Sequence, residues 1–310
     1  MRDTDYQLII IGGGPAGLTA GLYASRSRLK TVLLEKSLIG GQVMLTDWVD
    51  NYPGFPEGVS GFSLIDNMAS QAGRFGLETR TGSAVVSMDL DGPIKKLVLD
   101  DGAELTTQAV ILANGARPRA IDVPGEKELT GKGVSYCATC DGPFYRGEHV
   151  AVVGGGNTAV QEAIYLTKFA DRVTVIHRRD ELRATKIVQE QARANDKIDF
   201  LFDTVVSGVK GKNAVEGLVL SNVKTGERRD FPLQGVFILI GTMPNNEELP
   251  GRQLQMKNGF VVTDREMRTN IPGVMAAGDI CNKAVRQIVN AAGEGAVAVQ
   301  SVEDYLNEIS

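Results

Sequence analysis

The chain has 310 residues, of which 43% are hydrophobic and 23% charged. That length supports two domains, each with its own core, and the balanced composition excludes a mini-protein, a disordered chain and a fibrous repeat. A net charge of −5 gives no electrostatic reason to bind nucleic acid or anionic membranes non-specifically. The longest apolar stretches, such as residues 8–11 and 236–240, fall far short of the roughly 20 residues of a membrane span. Residues 1–7 show no signal-peptide pattern, so the chain is expected to be cytoplasmic. Glycine is the outlier: 36 residues with no collagen-like period imply many positions that need positive φ or close approach to a ligand.

In chain order, residues 6–11 form an apolar, β-branched run that stops at Gly12-Gly13-Gly14-Pro15-Ala16-Gly17, after which residues 18–27 have helical composition. A second strand at 31–34 ends at Glu35, 23 residues after Gly12. The dinucleotide fingerprint asks for an acidic residue there, where a carboxylate accepts both ribose hydroxyls. A single glycine turn can also serve packing alone. Strand-like segments at 84–87, 96–99 and 108–112, punctuated by Asp91-Gly92 and Asp101-Gly102, predict an antiparallel insert of hairpins.

The pattern then recurs. A strand at 150–153 leads into Gly154-Gly155-Gly156-Asn157-Thr158-Ala159, a helix at 160–169 and a strand at 172–176 that ends at His177, again 23 residues on. Two dinucleotides are expected. Glu35 repels a 2′-phosphate, whereas His177-Arg178-Arg179 with Arg183 neutralises one, so the first site suits FAD and the second NADPH. The alternative for this cluster is a solvated helix start or a partner-docking patch. Arginine at a helix N-terminus opposes the macrodipole unless an anion is present, which favours the phosphate. Arg117-Pro118 and Met243-Pro244-Asn245 bracket the second unit. The expected fold is α/β, with two Rossmann-like three-layer nucleotide-binding domains, the second inserted into the first, over residues 1–117, 118–245 and 246–310.

Of three cysteines, two form Cys137-Ala138-Thr139-Cys140, which in a reducing compartment reads as a reversible dithiol. Zinc would need further ligands, and the two histidines are His149 and His177, so no metal site is expected. Cys281 sits in an apolar stretch and reads as packing. Asp141 can shuttle the proton of thiolate chemistry or cap the next helix, and both readings stand. A flavin accepts a hydride from NADPH and passes an electron pair to a disulfide, so disulfide reduction is the expected reaction.

Through the two glycine turns, Gly40-Gly41-Gln42, Asn51-Tyr52-Pro53-Gly54, Cys137-Ala138-Thr139-Cys140-Asp141-Gly142, residues 177–183, Gly278-Asp279 and Arg286-Gln287, the chain resembles the low-molecular-weight bacterial-type thioredoxin reductases over nearly its whole length. The resemblance implies a homodimer that reduces thioredoxin and maintains cell redox homeostasis, with the disulfide on the inserted NADPH domain. It assigns to FAD Gly12, Gly14, Pro15, Ala16, Gly17, Glu35, Lys36, Gly41, Gln42, Asn51, Gly115, Gly278, Asp279, Arg286 and Gln287. It assigns to NADPH Gly154, Gly156, Asn157, Thr158, His177, Arg178, Arg179 and Arg183. By similarity Cys140 faces the flavin, Cys137 attacks the partner disulfide and Asp141 is the acid and base, with the domains alternating between two orientations about Arg117-Pro118 and Pro244-Asn245. A reductase of another dithiol carrier, glutaredoxin-like or peroxiredoxin-linked, and a non-catalytic flavin and disulfide sensor are the alternatives. The chain departs from the family at Asn114, commonly threonine, and at Pro143, where some relatives carry one of two aromatics that dock thioredoxin. Trp48, the only tryptophan, is expected in the core.

Overall fold

The computed structural model describes residues 4–46, 48–250 and 253–309; residues 1–3 and 310, at the outer ends of the expected first domain, lie outside the described residues. The chain divides into two compact units, Met1–Arg117 with Met243–Ser310, and Pro118–Thr242. The first opens with β1 (Tyr6–Ile11), α1 (Pro15–Arg26), β2 (Thr31–Glu35), α2 (Gly61–Arg74), β3 (Glu78–Thr81), β4 (Val85–Asp89), β5 (Lys95–Leu99), β6 (Glu104–Leu112) and β7 (Ala116–Pro118). From Leu8 to Ile11 β1 is continuously apolar because both its faces are covered. Leu8 and Ile10 pack with Ala20, Ala24 and Leu64 of the helices, and Ile9 and Ile11 with Val85 and Leu97 beyond the other face. The sheet order is β3-β2-β1-β6-β5-β4, parallel from β3 to β6 and antiparallel from β6 to β4. The expected antiparallel insert is therefore continuous with the parallel sheet. β6 gives its N-terminal half to β5 and its C-terminal half to β1, so one strand serves both pairings.

The second unit contains β8 (Val134–Ser135), α3 (Ala138–Asp141), β9 (His149–Val153), α4 (Asn157–Leu166), β10 (Arg172–Ile176), α5 (Lys186–Arg193), β11 (Ile198–Leu201), β12 (Thr204–Lys210), β13 (Gly217–Asn222), β14 (Arg228–Pro232) and β15 (Gly235–Ile238). Its five-stranded sheet is all parallel, in the order β11-β10-β9-β15-β8. Val150 and Val152 face α4, while Ala151 and Val153 face the antiparallel β12-β13-β14 through Val206, Leu218 and Leu220. Helices, parallel sheet and antiparallel sheet make three layers.

The chain then crosses back through β16 (Thr242–Pro244), which pairs with β7, passes β17 (Met256–Lys257) and β18 (Phe260–Val261), adds β19 (Val274–Ala276) to β6, and ends in α6 (Ile288–Ile309). α6 lies on α1 closely enough that a Cβ at Gly295 would stand 2.3 Å from Ala16 O. The tightest approach is inside the first turn, where a Cβ at Gly17 would meet Gly12 O at 1.8 Å.

Gly17→Ala should therefore destabilise the protein by about 1–3 kcal/mol, even after the roughly 1 kcal/mol that alanine gains over glycine in a helix. Gly14→Ala, where a Cβ meets nothing within 4 Å, should stay within about 0.5 kcal/mol. Thermal unfolding checks both, and equal midpoints would contradict the close approach.

Candidate active site

In the first unit, Gly12 N donates to Leu34 O and Gly40 N to Gly13 O, each at 2.8 Å, which fixes the turn between β1 and α1. Gly14 stands at the N-cap with no capping side chain, Pro15 begins the helix, and the first turn holds no acidic residue. The amides of Ala16 and Gly17 are thus left for an anion such as a pyrophosphate. The mouth of the turn is open at Gly14, and Gly41, at φ +57, lies beside it with its Cβ position 3.7 Å from Gly14 Cα. Gln42 follows, exposed. Glu35 closes the end of β2: Oε2 accepts from Gly13 N at 2.8 Å and Oε1 from Ser37 N at 2.9 Å. Each oxygen keeps a second lone pair for a ribose hydroxyl. Lys36 pairs with Glu248 at 3.7 Å.

The C-terminal segment joins this turn at Gly278, whose Cβ would lie 2.9 Å from Ala16 Cβ. Gly278 N donates to Glu294 Oε2 at 2.8 Å, and Lys283 Nζ donates to the same oxygen at 2.8 Å while standing 3.4 Å from Asp279 Oδ1. That Asp279 oxygen is buried with no hydrogen-bond partner, and burial raises its carboxyl pKa. Asn114 brings a second orphan, a buried Oδ1 at the exit of β6, where Asn114 N lies 3.1 Å from the Gly12 Cβ position. Gly115, at φ +69, accepts from Asn245 N at 3.1 Å. Asn51 Nδ2 meets Gln287 Oε1 at 3.1 Å. Arg286 braces its own loop through Lys283 O at 3.1 Å and lies 4.3 Å from the Phe260 centroid, with Nε buried and unbonded. Buried polar atoms normally have partners. The orphans and the open glycine cradle fit an FAD.

The second unit repeats the turn with different electrostatics. Gly154 N donates to Ile176 O at 3.1 Å, Gly156 stands at the N-cap of α4 with no capping side chain, and Thr158 is exposed in the first turn. Asn157 Oδ1 accepts from Thr185 N at 2.7 Å and Gly155 O from Arg183 N at 2.7 Å, so the loop after β10 is tied to the turn. His177 is buried, its ring against Gly155, where a Cβ would meet it at 2.4 Å. Burial, then the charges of Arg183, Arg179 and Arg178, hold its pKa below the ordinary value. The imidazole is therefore neutral at pH 7, and the basic charge expected of the cluster rests on the three arginines. All three are exposed and, among the described residues, none is in an ion pair. They lie in a loop rather than at a helix start, because α5 begins only at Lys186.

Cys137 and Cys140 form a disulfide around the single turn of α3, with Cα atoms 5.3 Å apart and both residues half-buried. Ser135 Oγ accepts from Cys137 N at 3.1 Å, Thr139 Oγ1 lies 3.3 Å from Cys137 Sγ, and Ala138 N donates to Glu162 Oε2 at 3.0 Å. Asp141 sits at the N-cap of the 3-10 turn Gly142–Tyr145, but its side chain makes no capping bond. Burial first, then the Asp141 charge, pushes the Tyr145 phenol up to about 12. Pro143 is the second residue of that 3-10 turn, in its first turn where a fixed φ is suited, and Phe144 after it is 53% exposed. Cys281 is buried with its thiol pushed up to about 12, which suits packing and not reactivity.

Sequence reasoning missed Glu162 and Glu294, whose partners lie 24 and 16 residues away with no local motif to mark them. Trp48 corrects an expectation: it is 43% exposed, lies over Gly58 and donates to Asp50 Oδ1 at 3.0 Å, a polar anchor that keeps it out of the core.

A family model described as pyridine nucleotide-disulphide oxidoreductase matches residues 6–295. The chain is 47% identical over 307 residues to the thioredoxin reductase of Peptoclostridium acidaminophilum, covering 97% of each chain. It is 45% identical over 305 residues to that of Bacillus subtilis (strain 168), covering 98% of this chain and 96% of the relative. Its structure is similar to the crystal structure of thioredoxin reductase from Streptococcus pyogenes MGAS5005, with a TM-score of 0.94 and 44% identity over 99% of this chain and 100% of that one. Among the described residues no helix is long and apolar enough to cross a membrane. The chain belongs to the pyridine nucleotide-disulphide oxidoreductases and, within them, to the thioredoxin reductases.

Proposed function

We propose that electrons pass from NADPH bound on the second unit, by way of FAD held in the first, to the Cys137–Cys140 disulfide, and from the resulting dithiol to thioredoxin. The observation that carries this reading is the half-exposed disulfide on a one-turn helix, in a unit that also holds a basic dinucleotide turn. Bound FAD supplies the relay between a hydride donor and a two-electron disulfide acceptor. The amides of Ala16 and Gly17 would hold its pyrophosphate, Glu35 its ribose, and the orphaned Asp279 oxygen a polar group of the same ligand. Arg178, Arg179 and Arg183 would take the 2′-phosphate of NADPH, with neutral His177 packed behind the turn.

In the outward step the Cys137 thiolate attacks one sulfur of the thioredoxin disulfide and releases the other, which takes up a proton. The Cys140 thiolate then attacks Cys137, restoring the internal disulfide and freeing reduced thioredoxin. Thr139 Oγ1, 3.3 Å from Cys137 Sγ, can donate to the thiolate. Asp141, which follows Cys140 directly, is the group beside the pair that gives and takes the proton. Alternation between the half-reactions is assigned to the paired crossings β7 and β16. Homodimerisation is supported by exposed Leu45 and Phe62, at 58% and 64%, on neighbouring elements of the first unit.

Three measurements test this reading. Cys137→Ser should keep NADPH-driven bleaching of the flavin and lose thioredoxin reduction; retained turnover would refute the assignment of Cys137. Arg178→Ala combined with Arg179→Ala should raise the KM for NADPH about 10- to 100-fold, a loss of about 1.4–2.7 kcal/mol for the pair, and leave that for NADH within about twofold. An equal rise for both would place the 2′-phosphate elsewhere. Sedimentation of the holoenzyme should give twice the 33.2 kDa chain mass, and Phe62→Glu should lower it; a monomer at micromolar concentration would rule out the dimer.

A further inference from the structure

The redox turn does not stand alone in its unit. α3 rests on α4, with Ala138, Ala159 and Ala163 fully buried between them and Gly142 close enough that a Cβ would lie 3.1 Å from Leu166 Cδ2. From α4, Glu162 reaches the amide that follows Cys137 and accepts from Ala138 N at 3.0 Å. The proposed electron path uses the two cysteines and a proton carrier, and gives this carboxylate no part.

We propose that Glu162 is a positioning residue of the redox pair: its carboxylate holds the Ala138 amide, and the charge fixed there disfavours the cysteine thiolate, which makes the reduced pair a stronger electron donor. The inference rests on the reading of Cys137 and Cys140 as the redox pair. On reduction two electrons enter the sulfur–sulfur bond, it breaks, one sulfur takes a proton and the other remains a thiolate, with NADPH as the ultimate reductant. A carboxylate that cannot swing away, because it is bonded to the neighbouring amide, raises the free energy of that thiolate. A dithiol state destabilised relative to the disulfide has a lower reduction potential, so it gives its electrons more readily. Burial raises the Glu162 pKa while the Ala138 amide opposes that shift, the balance of a carboxylate kept in place by one donor. Asp141 is the other carboxylate next to the pair, but it follows Cys140 and does not hold the Ala138 amide.

Glu162→Gln keeps an oxygen for Ala138 N and removes the charge, so it separates the electrostatic role from mere bracing. Holoenzyme is equilibrated in glutathione buffers of graded composition, quenched in acid and alkylated, and the dithiol fraction is counted by mass. The dithiol of Glu162→Gln should form at a reduced-to-oxidised glutathione ratio about three- to tenfold lower than in the unsubstituted enzyme, about 14–30 mV for a two-electron couple. Gln161→Glu, which adds a carboxylate at an exposed neighbouring position of α4, should leave the midpoint unchanged. A Glu162→Gln midpoint equal to that of the unsubstituted enzyme, or shifted the other way, overturns the proposal. Should that variant fail to retain flavin, Glu162→Asp carries the test, with a smaller shift in the same direction expected and no shift overturning it. If NADPH fails to open the disulfide of the unsubstituted holoenzyme, it is the reading of the pair that falls, an outcome separate from an unshifted variant.

Discussion

Three carboxylates hold the backbone on which the chemistry depends: Glu35 on Gly13 N, Glu162 on Ala138 N and Glu294 on Gly278 N. The amides they hold belong to glycine or alanine, in segments made mostly of small residues. Such segments have few side chains able to bond their own amides, and a buried amide left without a partner costs about 1–3 kcal/mol. A carboxylate from another element meets that need with a charge-assisted bond, stronger than a neutral one. It also brings negative charge to the end of β2 at Glu35 and to the amide next to a cysteine at Glu162.

The two glycine turns show how little sequence change separates two electrostatic settings. They share the bond from the first glycine amide to the second strand, through Leu34 O in one and Ile176 O in the other. The third small residue differs: Gly17 touches the Gly12 carbonyl, whereas Ala159 in the second unit leaves its Cβ 2.6 Å from the position a Cβ on Gly154 would take. At the strand end the difference is electrostatic. Glu35 presents an acceptor to hydroxyls, while the buried, neutral His177 presents none of its own charge and is followed by exposed arginines. Packing therefore occupies the histidine and leaves the positive charge of the cluster on solvent-facing residues, a division that keeps a cation out of a desolvated position.

The glycine turns, the strands on either side of them and the cysteine pair were legible because each is a local pattern, complete within about 25 residues. β6 misled for the opposite reason: an antiparallel and a parallel pairing share one strand, and nothing in its own residues says where one gives way to the other. β8 and β19, of two and three residues, have no periodicity to detect and exist through their neighbours. Glu162 and Glu294 look like ordinary helical glutamates until the fold brings an amide to them. In this chain the family was readable from sequence, whereas the second layer of support was not, since it is made of contacts between elements.

The insertion itself depends on how the first unit closes at its two crossings. Asn245 Nδ2 donates to Asn114 O at 2.8 Å, its backbone amide to Gly115 O at 3.1 Å, and its Oδ1 accepts from Arg117 Nη1 at 2.7 Å. The Arg117 ion pair with Glu247 is nearly half exposed on both sides and adds about 0–1 kcal/mol, so the asparagine and not the salt bridge is the fastening. On the other side of the crossing, Arg119 N donates to Gly241 O at 2.9 Å. With leaving and returning strands bonded to each other, the inserted unit receives its two ends already adjacent and pays no loop-closure entropy to bring them together. The same asparagine bonds the backbone of Asn114, whose amide nitrogen lies 3.1 Å from the Cβ position of Gly12, so the joint stands next to the first glycine turn.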